Sequence, residues 1–170
     1  MGQLDGKVVL LTGGANGMGE NHARRLVREG AQLVLTDVDT EGGGKLAASL
    51  GEDAHFVRHD VANEADWAAA IATTRERFGA LHGLVNNAGV LRAAPILEED
   101  PAGFQQLLQV NLMGPWWGMR KAVPLMRESG GGSIVNVSST SAIKSYPGLS
   151  SYLTSKWAVR GLSKVAAGEL

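Results

Sequence analysis

The chain has 170 residues, of which 44% are hydrophobic and 19% charged, with a formal net charge of −1. These values are typical of one globular domain with a buried core, and they exclude a disordered chain. The near-neutral charge predicts no nucleic-acid partner, and no apolar run is long enough to span a bilayer. The absence of cysteine excludes disulfides and thiolate chemistry, and we expect a cytoplasmic location.

Short apolar runs alternate with longer helical stretches along the chain. The predicted strands are Lys7–Leu11, Gln32–Thr36, His55–Arg58, Gly83–Asn86 and Ser133–Val137. The predicted helices are Gly17–Glu29, Glu41–Leu50, Glu64–Phe78, Phe104–Arg127 and Ser151 to the C-terminus. This alternation predicts an α/β fold, a doubly wound parallel sheet with helices on both faces, of the Rossmann type. Ligands bind beyond the carboxyl ends of such strands, so the residues that follow each strand are site candidates.

A glycine-rich turn joins the first strand to the first helix. Gly13, Gly17 and Gly19 follow a TGxxxGxG pattern, with Asn16 and Met18 between them. Glycine permits a tight turn and the close approach of a pyrophosphate, and the helix N-terminus offers N–H groups to phosphates. A glycine turn alone is weak evidence, but the strand before it and the helix after it provide the context of a dinucleotide site.

Asp37 follows the second strand. A carboxylate at this position accepts hydrogen bonds from the adenosine ribose hydroxyls and repels a 2′-phosphate. Asn16 offers no positive charge to attract such a phosphate. The pattern favours NAD over NADP, with an aspartate in a surface turn beside Asp39 as the alternative.

Two further strand ends carry residues whose role the sequence leaves open. Asp60 and Val61 follow the third strand, and the carboxylate either faces the adenine amino group or caps the next loop. Asn87, Ala88 and Gly89 follow the fourth strand. Amides and small residues there suit the close approach of a cofactor, and they equally suit a hydrogen-bond network under the sheet.

Tyr152 and Lys156 lie four residues apart on the last predicted helix, so their side chains are neighbours. Free tyrosine ionises near pH ~10, and a nearby ammonium and a nicotinamide cation both favour the phenolate. Tyr152 can then act as a general acid or base near neutral pH. Ser139, after the fifth strand, would hold a substrate oxygen and stabilise its developing charge. A surface Tyr–Lys pair is the alternative.

Asn111 lies inside the predicted fourth helix, four residues before Pro115. Proline has no N–H and clashes with the carbonyl four residues earlier, so we expect a kink. We hypothesise that the freed Asn111 carbonyl binds an ordered water that links Lys156 to solvent. A kinked helix without function is the alternative.

No metal site is predicted. The four histidines are His22, His55, His59 and His82. His55 and His59 are four residues apart, but on a predicted strand this spacing does not match the helical ligand pair of zinc enzymes.

Together these motifs resemble the short-chain dehydrogenase/reductase family. The resemblance rests on Thr12–Gly19, Asn86–Gly89, Asn111, Ser139 and the Tyr152/Lys156 pair, in this order. Two segments, Gly131–Ser139 and Lys156–Lys164, are similar to the bacterial 3α,20β-hydroxysteroid dehydrogenase type. The resemblance implies an NAD(H)-dependent oxidoreductase that interconverts a secondary alcohol and a ketone, with a hydroxysteroid or another hydrophobic carbonyl compound as substrate.

The resemblance also implies roles for the matching residues. Tyr152 would be the acid/base, Lys156 would favour its phenolate, Ser139 would orient the carbonyl and Asn111 would complete a proton relay. The NAD contacts would come from Gly13, Asn16, Gly17, Met18, Gly19, Asp37, Asp60, Val61, Asn87, Ala88, Gly89, Tyr152 and Lys156. Association as a dimer or tetramer through the helices Phe104–Arg127 and Ser151–Leu170 is expected. Trp116 and Trp117 either contribute to this interface or pack in the core.

One departure from the family pattern concerns length. Members add a further strand with a Pro-Gly segment, a substrate-covering helical region and a final strand after the helix that bears Tyr152 and Lys156. We therefore expect residues 1–170 to be a single NAD-binding Rossmann-type domain without the substrate-binding region. It is either part of a longer enzyme or a truncated NAD-binding module without turnover.

Overall fold

A computed structural model describes residues 2–170. The strands are β1 (Val8–Thr12), β2 (Gln32–Asp37), β3 (Ala54–Arg58), β4 (Gly83–Asn86) and β5 (Ser133–Asn136). The helices are α1 (Gly17–Arg28), α2 (Thr40–Leu50), α3 (Glu64–Phe78), α4 (Pro101–Leu108), α5 (Gly114–Glu128) and α6 (Ser150–Glu169). All strand pairs are parallel, in the order β3-β2-β1-β4-β5. This arrangement confirms the predicted doubly wound α/β fold.

The sheet lies between two hydrophobic cores. Successive side chains of a strand point to opposite faces. Leu11 and Leu35 therefore join the core under α1 and α2, whereas Leu10 and Val34 join the core under α3 and α5. These four side chains are fully buried. The near-continuous apolar sequence of β1 and β2 follows from burial on both faces.

Side-chain caps explain where three helices begin. Asp39, Asn63 and Asp100 precede α2, α3 and α4, and each accepts a hydrogen bond from a backbone N–H of the first turn. Asn63, for example, accepts from the Ala65 N–H through its Oδ1 at 2.8 Å. The fourth helix begins at Pro101 rather than at the predicted Phe104, because Asp100 caps it and proline suits the first helical position.

The predicted long helical stretch Phe104–Arg127 is present, but it is not one regular α-helix. The structure has α4, then a π-helical turn over Gln109–Met113, then α5. Pro115 lies in the first turn of α5, where its missing N–H costs little. The expected distortion near Asn111 therefore takes the form of a π turn, a feature often found at functional sites.

β5 forms one edge of the sheet and is the most exposed strand. Its residues alternate between half-buried and exposed, and Val135 is 52% exposed. A groove of about 560 Å³ runs between β5, α5 and α6. None of the helices described within residues 2–170 is both long and apolar enough to cross a membrane.

Trp67 gives a test of the core beneath α3. It is fully buried, and its indole N–H donates to the Val61 carbonyl at 2.9 Å. We expect Trp67→Phe to lower the free energy of unfolding by about 2–3 kcal/mol, since it leaves a cavity and an unpaired carbonyl. Urea denaturation measures the change. Trp157→Phe, at a half-exposed position, is the control, and its free energy of unfolding should change by no more than about 0.5 kcal/mol. Equal losses of stability in the two variants would contradict this role of Trp67.

Candidate active site

A cleft of about 360 Å³ opens at the carboxyl ends of β1, β2, β3 and β4. The strand order reverses between β1 and β4, which is where ligands bind in doubly wound sheets. Ten predicted cofactor contacts line the cleft: Gly13, Asn16, Met18, Gly19, Asp37, Asp60, Val61, Asn87, Ala88 and Gly89. Gly17 begins α1 and is not among the lining residues. Val38, His59, Val90 and Val110 also line the cleft, and the sequence analysis did not select them.

The glycine turn is packed too tightly for side chains. Gly13 has a φ of +65°, and a Cβ there would lie 2.7 Å from the Cα of Ala88. A Cβ on Gly19 would overlap the Gly13 carbonyl oxygen. These two glycines let the turn fold back on the start of α1, which leaves the floor of the cleft made of backbone.

Asp37 is held at the rim of the cleft by two backbone groups. Its Oδ2 accepts from the Ala15 N–H and its Oδ1 from the Asp39 N–H, both at 3.0 Å. The carboxylate thus joins the glycine turn to the end of β2. Asp37 shapes a turn with Asp39, which was the alternative interpretation, and it also lines the cleft. Its role towards a ribose stays a prediction.

Thr12 and Asn87 tie the end of β1 to the end of β4. Thr12 Oγ1 accepts from the N–H groups of Asn87 and Ala88, both at 3.1 Å. The Asn87 amide donates at 2.9 Å to the carbonyls of Thr12 and Gly13. Asn87 therefore belongs to a hydrogen-bond network under the cleft, one of the two roles considered for it, while Oδ1 is buried without a partner. Thr12 was missed as a site residue, although it lies in the TGxxxGxG motif.

Asp60 caps the loop that follows β3. Its Oδ1 accepts from the Ala62 N–H at 2.9 Å, and its own N–H donates to Asp66. The capping interpretation is therefore realised. Asp60 and Val61 nevertheless line the cleft.

His59 is buried beneath the same cleft. Its Nδ1 lies 2.9 Å from Thr36 Oγ1, its ring packs edge-on against Trp67, and its Nε2 has no hydrogen-bond partner. Burial lowers the pKa of His59 to about 4, against the opposing effect of the nearby Asp66 and Asp60 carboxylates. Within residues 2–170 no group of three or more His, Asp or Glu side chains is arranged to hold a metal ion.

Lys156 lies at the inner end of the site. Its side chain is 5% exposed, and its Nζ donates to the Val137 carbonyl at 3.0 Å. Burial lowers the pKa of the Lys156 ammonium. Its Nζ also lies 5.7 Å from the centroid of the half-buried Tyr152 ring, so the predicted pairing of the two side chains is present.

Asn111 joins three parts of the site. Its side chain is buried, accepts from the Val90 N–H and donates to the Val90 carbonyl, both at 2.8 Å. It also donates to Ser155 Oγ at 3.1 Å. A Cβ on Gly89 would lie 3.3 Å from Asn111 Oδ1 and 3.5 Å from Lys156 Nζ, so these groups adjoin. The π turn thus points an amide at the segment after β4 and at α6.

Ser139 begins a short 3₁₀ turn after β5. Its Oγ accepts from the Ser141 N–H at 3.1 Å, which uses a lone pair and leaves the hydroxyl proton available to donate. The neighbouring Ser138 hydroxyl donates to the Lys156 carbonyl at 3.1 Å. The end of β5 is therefore fixed to the helix that carries Tyr152 and Lys156.

Comparison with known proteins gives one family. The family model for short chain dehydrogenase matches residues 7–170. A 3-alpha-(or 20-beta)-hydroxysteroid dehydrogenase of Mycobacterium tuberculosis is 44% identical over 99% of this chain and 65% of its own length. A 3-beta-hydroxysteroid dehydrogenase of Comamonas testosteroni is 41% identical over 97% of this chain and 65% of its own length.

A relative with a different named activity is also similar. The cyclopentanol dehydrogenase of a Comamonas species is 39% identical over 100% of this chain and 69% of its own length. The chain therefore spans about two thirds of the length of these relatives.

The buried His59 predicts a pH dependence of stability. The unfolded chain takes up this proton near pH 6.5, whereas the folded chain does so only near pH 4. The folded state should therefore lose about 3 kcal/mol through this group as the pH falls from 6.5 to 4. We expect His59→Phe to be less stable at pH 7, because Thr36 loses its partner, yet to show a shallower loss towards pH 4. Urea titrations at several pH values test this, and parallel curves for variant and parent would rule it out.

Proposed function

Because the chain belongs to the short chain dehydrogenase family, we propose that it is the nucleotide-binding and catalytic part of an NAD(H)-dependent oxidoreductase. The enzyme would interconvert a secondary alcohol and a ketone. The observation that carries this proposal is the buried Lys156 ammonium, which lies against Gly89 and Asn111 and beside the Tyr152 ring. A module that binds NAD without turnover is the second candidate.

The cleft suits a dinucleotide. The glycine turn presents backbone at the start of α1, where N–H groups and the helix dipole attract phosphate. Two buried polar atoms without partners, Asn87 Oδ1 and His59 Nε2, belong to side chains that line this cleft. When bound, the nicotinamide accepts or supplies the hydride. The backbone floor excludes side chains from the space that the pyrophosphate requires.

Lys156 and Tyr152 would handle the proton. An ammonium with little solvent around it acts on its neighbours with less screening than in water. Beside this ammonium, the Tyr152 hydroxyl would give its proton to the substrate oxygen in reduction and take it back in oxidation. Ser139 would donate a hydrogen bond to the same oxygen and stabilise its negative charge.

Asn111 would support this chemistry at two levels. Its side chain fixes the backbone at Val90 and the hydroxyl of Ser155. Its backbone carbonyl lies in the π turn, next to the proline-containing start of α5. We retain the hypothesis that this carbonyl binds an ordered water, which links Lys156 to solvent.

We infer a hydrophobic substrate, a hydroxysteroid being one candidate. Apolar side chains are exposed in the segments that follow β4 and β5: Val90, Leu91 and Ile143 are each 46% to 63% exposed. An apolar ketone would cover such side chains. The named activities of the relatives, on hydroxysteroids and cyclopentanol, support this class. A cytoplasmic homo-oligomer that associates through α5 and α6 stays part of the proposal.

Tyr152→Phe tests the activity. We expect kcat for ketone reduction by NADH to fall by at least 10²-fold, because the proton donor is lost, while NADH binding changes little. Stopped-flow and fluorescence titration measure the two quantities in the natural full-length polypeptide.

Tyr146→Phe removes the other phenol of the chain and serves as the matched control, with kcat expected within a few-fold of the parent. Binding of NADH without turnover of any alcohol or ketone by the parent would instead establish the non-catalytic module.

Asp37→Ser tests the cofactor preference. Removing the carboxylate removes both the ribose acceptor and the charge that repels a 2′-phosphate. We expect the dissociation constant of NADPH, divided by that of NADH, to fall by about 10-fold or more. A tenfold change in this ratio corresponds to roughly 1.4 kcal/mol of binding free energy. Isothermal titration measures both constants, and an unchanged ratio would remove Asp37 from the ribose site.

A further inference from the structure

A carboxylate that the proposed chemistry does not use is buried beside the start of α6. Glu99 lies in the segment between β4 and α4, and its side chain is 5% exposed. Its Oε2 accepts hydrogen bonds from the hydroxyls of Ser150 at 3.1 Å and Ser151 at 3.0 Å. These serines form the first turn of α6, directly before Tyr152.

Glu99 takes the place of a cap that α6 does not carry itself. Leu149 occupies the N-cap position, and no side-chain hydrogen bond is made there. The N-terminal end of a helix carries partial positive charge, so an anion beside the first turn stabilises it. The carboxylate comes from a segment about 50 residues earlier in the chain, so the contact joins two separate parts of the site.

Arg92 balances the charge of Glu99 without displacing the serines. Its Nε lies 3.2 Å from Glu99 Oε1, and its side chain is 45% exposed. Water therefore solvates much of the Arg92 guanidinium, whereas Glu99 depends on Arg92 and the two hydroxyls. A buried carboxylate is costly unless it is paired and hydrogen-bonded. Oε2 accepts from both serines, whereas Oε1 is buried without a hydrogen-bond partner and depends on the charge of Arg92.

The same two segments are joined a second time. The Ala94 N–H donates to the Gly148 carbonyl at 2.8 Å, and Ala94 forms a parallel bridge with Leu149. On the other side of Tyr152, the Ser155 hydroxyl donates to the Tyr152 carbonyl at 2.7 Å and accepts from Asn111. The backbone of Tyr152 is thus fixed both before and after the residue.

We propose that Glu99 is a positioning residue that sets the place of the Tyr152 hydroxyl by fixing the first turn of α6 to the segment after β4. The inference rests on the proposed oxidoreductase function. Glu99 acts through Ser150 and Ser151 and does not itself touch the reacting atoms. Proton transfer requires hydrogen-bond distance, and a displacement of about 1 Å lowers a rate by roughly 10²-fold.

Glu99→Gln in the natural full-length polypeptide tests the proposal. The amide keeps the size of the side chain but loses the charge and one of the strong acceptors. We expect kcat to fall by about 10- to 100-fold, with the dissociation constant of NADH within about twofold of the parent. Hydrogen exchange of the amides of residues 150–156 should become faster by about 10-fold. Glu98→Gln, at the exposed neighbouring position, removes the same charge and should change neither quantity.

A double-mutant cycle with Ser150→Ala/Ser151→Ala separates positioning from general destabilisation. If Glu99 acts through these hydroxyls, the combined variant loses no more kcat than Glu99→Gln alone. If the Glu99 and serine substitutions lower kcat by independent factors that multiply in the combined variant, the proposal is overturned. Unchanged kcat and unchanged hydrogen exchange in Glu99→Gln would also overturn it. Should Glu99→Gln fail to fold, the serine variant must by itself show the loss of kcat and the faster hydrogen exchange that are expected of Glu99→Gln.

The exchange measurement also distinguishes this inference from the activity itself. If the parent turns over no alcohol or ketone, the proposed function fails. In that case, faster exchange confined to residues 150–156 still supports the contact that fixes α6, and unchanged exchange overturns it.

Discussion

The parallel pairing of β1 with β4 is the constraint on which the site depends. Leu10 and Leu84 are register partners in the middle of the sheet, so the ends of the two strands meet although about 75 residues separate them. Thr12 and Asn87 bond across this junction through both backbone and side chain. The pairing brings the glycine turn and the Asn87–Gly89 segment to the same edge. Without it, neither half of the cleft would have an opposite wall.

A second junction carries the candidate chemistry from the sheet to α6. Lys156 reaches back to the Val137 carbonyl, and Ser138 reaches forward to the Lys156 carbonyl. Asn111 brings the π turn against the same helix through Ser155. Buried polar groups need partners, so these hydrogen bonds hold the Lys156 ammonium and the Asn111 amide in place. They make the site stiff where the proposed proton transfer would take place.

Burial disfavours the charged forms of two side chains near the site. The pKa of the Lys156 ammonium is lowered by burial, and that of His59 falls to about 4. His59 follows β3, and the Lys156 Nζ reaches from α6 to the Val137 carbonyl, directly after β5. Perturbed titration of buried groups is typical of sites built for binding or catalysis. Glu99 is a further buried side chain, and its hydrogen-bond partners Ser150 and Ser151 lie on another segment.

The sequence by itself determined the strands and helices, and the order in which the motifs follow one another along the chain. Hydrophobic runs such as Val8–Thr12 and caps such as Asn63 act locally, so the strands and most helix ends follow from neighbouring residues. The glycine turn and the Tyr152/Lys156 spacing are local as well, which is why the sequence alone reveals them. The start of α4 was missed although Asp100 and Pro101 carry an ordinary start signal.

Only the tertiary structure decided how the candidate residues are partnered. The π turn at Asn111 depends on contacts with Val90 and Ser155, which lie 21 and 44 residues away. The contact of Asp37 with Ala15 and the burial of Glu99 against Ser150 and Ser151 likewise join segments that lie far apart in the sequence. Burial and hydrogen-bond partners at such distances leave no periodic pattern in the sequence, because they are set by the packing of whole elements.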